Sequence, residues 1–296
     1  MIPAPIEQLA AAFKKSGHSL YAVGGMVRNP LLGFPISDMD VTTDALPEES
    51  LRIGEELGLT AIPKAVNFGT VELIAKDKSW SVECTTFRAD VYGPGGNHRP
   101  EGVRFSKDLE SDAFRRDFTV NAIYQNTLTG EFVDPTGGLA DLNDKLLRAT
   151  SKDPSVIMRD DGLRVLRLVR FACELGFEVE KNTFAAAREY SAGLSDIPAE
   201  RKYAELKKIL LSDARYDAPQ PGGEHAVLRA LNLMHSINSL EYVIPELLEG
   251  EGITQNVQYH AYDVMHHSFH VAASAPPNLT LRLAALLHDV AKPVVF

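Results

Sequence analysis

The sequence predicts an α+β first half joined to an all-α second half. Up to about residue 145, short runs of alternating apolar and polar residues, bounded by Gly, Pro and Asp, interleave with amphipathic segments. After Pro154 no strand pattern is legible, and amphipathic helical segments follow one another toward the chain end. The 296 residues suffice for two domains of ordinary size, and no internal repeat or low-complexity segment is present.

Taken in order, residues 5–16 read as an amphipathic helix stopped at Gly17. "SLYAVGG" is a strand running into a turn, and "DMDVTT" is a second strand. "PEESLRIGEELG" is a helix with Pro at its start and Gly at its end. "FGTVELIA" and "WSVECTTFR" alternate and pair through a "KDKS" turn. "DVYGPGGNHRPEG" is a Gly/Pro-rich, mobile loop. "SDAFRRDFTVNAIYQN" starts helical and leads into a strand, and "FVDPTGGLADLNDKLLRA" is a turn followed by a helix. The second half carries helices over about 155–176, 181–191, 198–212, 224–235 and 260–274, with "NLTLRLAALLHDVAKP" running to the end.

Composition narrows the function classes. A hydrophobic share of 45% with 24% charged residues is the profile of a globular protein free in water. The longest apolar runs fall far short of the ~20 residues that span a bilayer. The N-terminal lysines follow the apolar part, the reverse of a signal peptide. Cys84 and Cys173 match no disulfide or metal spacing, which suits a reducing compartment. The expected location is the cytoplasm, with no membrane partner. The net charge of −10 argues against a polyanion-binding surface, except that arginines concentrate between Arg159 and Arg170.

"GGMVRNPLLGFPISDMD" carries the chemistry. On a strand, residues two apart share a face, so Asp38 and Asp40 converge and Met39 points away. Two carboxylates this close repel unless a cation sits between them, and hard oxygen donors suit Mg2+. An isolated D-x-D is most often a solvated strand end. Here Gly24 and Gly25 let backbone approach a phosphate, and Arg28 adds a charge in the same turn.

This stretch resembles the nucleotidyltransferase superfamily that includes DNA polymerase β. More narrowly it resembles the bacterial tRNA nucleotidyltransferase/poly(A) polymerase family, the class II CCA-adding enzymes. The family pattern GGxVRD…LLG…DxD is matched except that Asn29 replaces Asp. Further matches run in order: "VECTTFR" (82–88), "RPEGVRF" (99–105), "RRDFTVNAIYQN" (115–126), "DPTGGLADL" (134–142), "DDGLRVLRLVRFACELGF" (160–177, with Asp160 where Glu is usual) and "ERKYAELKKIL" (200–210). The resemblance implies a polymerase-β-like head with a mixed sheet over 1–145, an all-α neck over 146–215 and a partial helical body over 216–296. It implies transfer of CMP and AMP from CTP and ATP to the 3′ end of tRNA, with Asp38 and Asp40 holding Mg2+. Gly24, Gly25 and Arg28 would take the triphosphate. An A-adding enzyme, a poly(A) polymerase and a catalytically silent RNA-binding protein are the alternatives on the same fold.

Asp161 and Arg164 are three apart and share a helical face, which by itself describes an ordinary i,i+3 salt bridge. Adenine and cytosine each present an amine donor beside a ring-nitrogen acceptor. A carboxylate accepts and a guanidinium donates, so the resemblance implies that this pair admits ATP and CTP and rejects GTP and UTP. Arg116, Arg167 and Arg170 would meet triphosphate or the RNA end. Leu163, Leu166, Val169 and Cys173 form the core side of that helix. Asp117 and Asn121 contact ribose, brace the metal strand or tie the local turn. Glu83 is a further carboxylate candidate on a neighbouring strand.

Near the end, His267 and the His288–Asp289 pair resemble the HD phosphohydrolase superfamily, in which imidazoles and carboxylates hold a divalent metal. That pattern needs a further Asp, which does not occur before Phe296, so the chain is expected to be a piece of something longer. An HD phosphohydrolase is a further alternative, and the missing downstream Asp is what would discriminate it. His260, His266 and His270 read as surface or packing residues.

Overall fold

Apolar residues at helical spacing bury one face of α1 (Ala4–Lys15), through Ile6, Leu9, Ala10 and Phe13. The computed structural model describes residues 2–92, 102–254 and 261–295. They fall into two units. The first runs through Asp144 and includes Arg148–Lys152; the second holds Lys145–Leu147 and the chain from Asp153 onward. No helix among the described residues is long and apolar enough to cross a membrane.

The first unit continues with β1 (Leu20–Val23), α2 (Gly25–Leu31), β2 (Asp40–Thr43), α3 (Pro47–Glu56), β3 (Thr60–Ala65), β4 (Thr70–Ile74), β5 (Ser81–Thr86), β6 (Arg88–Val91), β7 (Gly102–Phe105), α4 (Leu109–Phe114), β8 (Tyr124–Asn126), β9 (Phe132–Val133) and α5 (Gly138–Asn143). The sheet order is β3-β4-β5-β2-β1-β8-β9. Only the β2–β5 pairing is parallel, so the sheet is mixed, as expected of an α+β head. Val41, Val71, Leu73, Val82 and Cys84 alternate onto one buried face. α3 packs there so closely that a Cβ on its Gly54 would lie 2.5 Å from the Leu73 side chain. The opposite face carries Asp40, Glu72 and Glu83.

The β4–β5 hairpin pairs Ile74 with Ser81 across the expected "KDKS" turn, where Lys78 adopts φ 59°. Several elements escaped the sequence reading, among them α2, β3, the β6–β7 pair flanking the expected loop and the short β9. α2 is seven residues long with Pro30 inside it, and so reads as a turn. β3 is an edge strand with Pro63 and a mostly exposed pattern, so it shows no alternation. β6 pairs β7 in a separate ribbon. Residues 93–101 of the Gly/Pro-rich segment lie outside the described residues, as does His260.

The second unit comprises β10 (Leu146–Leu147), α6 (Pro154–Asp160), α7 (Leu163–Leu175), β11 (Glu178–Val179), α8 (Lys181–Glu189), α9 (Ala199–Ile209), α10 (Ser212–Tyr216), α11 (Ala226–Ser236), α12 (Leu240–Val243), α13 (Val264–Ser274), α14 (Leu279–Leu287) and α15 (Lys292–Val295). It is not wholly free of strands: β11 pairs in parallel with β10, though over two residues each. α7 is its centre. Every residue of α7 except Arg167 is buried, including the expected Leu163, Leu166, Val169 and Cys173.

The single helix expected over 155–176 is broken. Asp161 takes extended angles (φ −145°, ψ 105°) and Gly162 starts the next helix. Gly162 lies against the backbone of Gly193, where a Cβ would come within 2.6 Å. Elsewhere, buried Arg282 on α14 pairs with Asp213 on α10 at 2.5 and 2.6 Å.

Candidate active site

The parallel register sets Asp40 on β2 directly beside Glu83 on β5, and Glu83 in turn beside Glu72 on β4. Three neighbouring strands thus present three carboxylates in a row. Asp38 is not on the strand. It sits in a bend just before β2, its Oδ2 accepting from Ser37 Oγ at 2.9 Å. Strand alternation therefore does not bring Asp38 and Asp40 together, since β2 begins only at Asp40. Asp38 and Asp40 still border one cleft, with Met39, Glu72, Glu83 and Trp80. The pairing continues past the strand end, since Glu83 N donates to Met39 O at 3.0 Å.

This row is short of positive charge. Burial, then Glu83, and also Asp38 push the Asp40 carboxyl up to about 6, against the opposing pull of Arg116 and Lys64. Hard oxygen donors around a carboxylate reluctant to ionise fit a divalent cation. Glu83 is therefore more central than its sequence context suggested. Glu72 was missed, because only strand register brings it into line. Lys64 Nζ answers both, at 2.5 Å from Glu83 and 3.7 Å from Glu72.

Gly24 precedes α2 with φ 65° and ψ −133°, a conformation that L side chains rarely adopt. The double glycine thus opens a short helix and is more than a turn. Arg28 is 4% exposed, and its guanidinium donates to the side-chain oxygens of Asn29 and Asn121. The structure thus puts Arg28 in an internal bracket. Asn121 also donates to Asp117 Oδ1 at 3.0 Å, and Asn29 donates to Pro35 O at 3.1 Å. Asn29, the departure from the family pattern, both accepts from Arg28 and donates to a carbonyl. A carboxylate does only the first.

A second cleft shares Asp40 and Glu83 and adds Arg88, Arg115 and Arg116. Asp112 gathers the last two: Arg115 reaches its Oδ1 at 2.6 Å and Arg116 its Oδ2 at 2.8 Å. Burial pushes the Asp112 carboxyl up, but the two guanidinium groups outweigh it and hold it at about 2. Tyr124 OH also donates to Asp112, at 2.8 Å. Arg116 therefore stands at the cleft wall, braced from behind.

In the second unit, Asp161 and Arg164 do not share a helical face, because Asp161 precedes the helix. Asp161 Oδ1 accepts from Leu163 N at 3.0 Å, starting α7, while Oδ2 lies 3.5 Å from Arg201. Arg164 is buried and donates to Ile157 O at 3.1 Å. Arg201, inside the 200–210 match, was not singled out from sequence. Arg170 does not extend an open arginine stripe. It is 4% exposed, paired with Glu174 at 3.0 Å and Glu205 at 2.6 Å, and packed over Phe171. Arg167, half-buried, also lies over the Phe171 ring.

His267, His288 and Asp289 bring one ligand atom each within 4.8 Å of one another, a spacing that could hold a metal ion. His288 Nε2 is 3.1 Å from Asp289 Oδ2, which Lys292 also contacts at 2.6 Å. Asp263 caps α13, its Oδ1 accepting from His266 N at 2.7 Å with the His266 ring beside it, and His270 stacks on Tyr262. Those two roles are structural, as expected.

Residues 20–148 match the Poly A polymerase head domain, and residues 176–218 match the probable RNA and SrmB-binding site of polymerase A. The CCA-adding enzyme of Streptococcus agalactiae serotype V is 40% identical over 200 residues, 67% of this chain and 47% of that protein. The Bacillus stearothermophilus CCA-adding enzyme in complex with CTP superposes with TM-score 0.68 at 32% identity, over 82% of this chain and 55% of that one. A tRNA nucleotidyltransferase complexed with a primer tRNA and an incoming ATP analog gives TM-score 0.68 at 25% identity, over 95% and 75%. The chain spans about half the length of the curated relatives it matches.

Proposed function

The chain belongs to the bacterial tRNA nucleotidyltransferase/poly(A) polymerase family, and from that premise we propose that it adds CMP and AMP, from CTP and ATP, to the 3′ end of tRNA without a template. The observation that carries this reading is the carboxylate row: Asp40 beside Glu83 and Glu72, with Asp38 on the same cleft and too little positive charge among them. Asp38 and Asp40 would hold Mg2+, which when bound supplies positive charge to the reacting phosphate and its leaving pyrophosphate.

The other roles follow from the protein's own groups. Gly24 brings backbone close to the triphosphate, and Arg28, locked by Asn29 and Asn121, keeps that turn in shape. Arg116, held by Asp112, offers its charge at the cleft wall. In the second unit Asp161 accepts from the exocyclic amine of cytosine or adenine and Arg164 donates to the ring nitrogen. Arg201 and the carbonyl of Ile157 orient that pair. Arg167 serves phosphate, whereas Arg170 secures α7 to α9. The compartment in this reading is the cytoplasm.

The test incubates the chain with tRNA lacking its 3′ end, Mg2+ and one labelled nucleotide at a time. Incorporation of C and A but not G or U is expected. Equal use of G or U overturns the Asp161/Arg164 assignment, and use of A alone moves the reading to an A-adding enzyme or poly(A) polymerase. A second reading applies to the far end of the chain. His267, His288 and Asp289 would take a divalent transition metal, and titration of Co2+ should show visible absorption that His288→Ala removes.

A further inference from the structure

Lys64 has no part in the reading above, yet its placement is specific. The β3–β4 ladder pairs Ile62 with Glu72 and Ala65 with Thr70, and is irregular between them. Pro63 and Lys64 fall in that irregularity. A bulge re-aims a side chain that regular pleating would send elsewhere. Lys64 thereby reaches Glu83 Oε1 at 2.5 Å, on the strand beyond its neighbour, and Glu72 Oε2 at 3.7 Å. Lys64 and Glu83 are each 45% exposed, and an ion pair that open contributes little to stability. Its consequence is electrostatic. It cancels one charge of the row and occupies an oxygen of the carboxylate nearest Asp40 in register.

We propose that Lys64 is a positioning residue that reserves Glu83, keeping this carboxylate engaged so that the head binds its divalent cation through Asp38 and Asp40. The proposal rests on the assignment of those two aspartates as the cation ligands. Oxygen-donor sites set their affinity by the number of charged ligands. Releasing Glu83 adds one and removes a repelling ammonium. Lys64→Met keeps the apolar stem of the side chain and deletes the charge.

The experiment titrates Mn2+ into the full chain and follows the free-ion signal by electron paramagnetic resonance, with thermal melts to verify folding. Lys64→Met should tighten Mn2+ binding roughly three- to tenfold, a size consistent with one nearby charge in a solvated cleft. Lys64→Arg should restore the native value. In a Glu83→Gln background the effect of Lys64→Met should shrink by at least half, since the pair then no longer exists. Unchanged or weaker binding in Lys64→Met, or an equal gain in the Glu83→Gln background, overturns this inference and leaves the aspartates standing as ligands. Mn2+ binding indifferent to Asp40→Asn overturns that assignment and this inference with it.

Discussion

On the sheet of the first unit, Asp40, Glu83 and Glu72 stand side by side with Lys64 across two of them, and Asp40 is left half-buried and hard to ionise. On α7 of the second unit, Arg170 is buried between Glu174 and Glu205, and Arg164 is buried against a backbone carbonyl. Both regions draw their charged residues from recognisable motifs: Asp40 and Glu83 on the one side, the arginines of α7 on the other. The first leaves charge uncompensated at a cleft, which is what a site for a cation requires. The second spends most of its charge on holding helices together. A charged motif therefore has to be divided, residue by residue, into groups that face a ligand and groups that secure the scaffold.

Substitutions can break or sharpen this contrast. The largest effect is expected on activity from Asp40→Asn, which removes the charge of a proposed cation ligand while leaving shape nearly unchanged. Labelled-CTP incorporation should fall by ~10²-fold or more; a loss under tenfold would place the essential charge elsewhere in the row. Next comes Arg170→Met. It takes the nearest partner from two buried carboxylates; Glu174 keeps Arg215 at 3.7 Å and Glu205 keeps Lys208 at 3.6 Å, so the cost in denaturant unfolding should be about 2–4 kcal/mol. A cost below about 1 kcal/mol would mean that the pair is a surface contact after all and the contrast is false.

The third test uses pH. The Asp40 carboxyl titrates near 6 in the fold against a reference of 3.8, so the folded state holds its proton more tightly than the unfolded state. Ionisation thus costs stability, and that cost grows as pH rises through the interval between those values and is complete above it. Metal-free Asp40→Asn should accordingly be more stable than the native chain by on the order of 1–3 kcal/mol at pH ~8, with no difference below pH ~4. Equal melting temperatures at both pH values would show that Asp40 is not strained. The smallest effect belongs to Asn29→Asp. The carboxylate pairs better with Arg28 but faces Pro35 O with no proton to donate. These oppose each other, and the melting temperature should report a change within about 1 kcal/mol.

How much of this was legible beforehand depended on the range of the interaction. Local patterns carried the α+β class, the "KDKS" hairpin, the caps of α1 and α3 and the buried side of α7, because strand alternation and helical periodicity are written in neighbouring residues. The ordered motifs likewise pointed to Asp38, Asp40 and Gly24 from sequence alone. Three things were decided only in three dimensions. Register between β2, β5 and β4, strands up to forty-odd residues apart, lined up Asp40, Glu83 and Glu72. The backbone contact of Gly162 with Gly193 and the capping by Asp161 split one expected helix into two. Burial between α7 and α9 turned Arg170 from an open charge into an internal pair. Sequence determines what each residue can donate, accept or bury. Which partner it meets is decided by pairing and packing between segments far apart in the chain, and there the desolvation of a charge forces it to find a counter-ion or to remain strained.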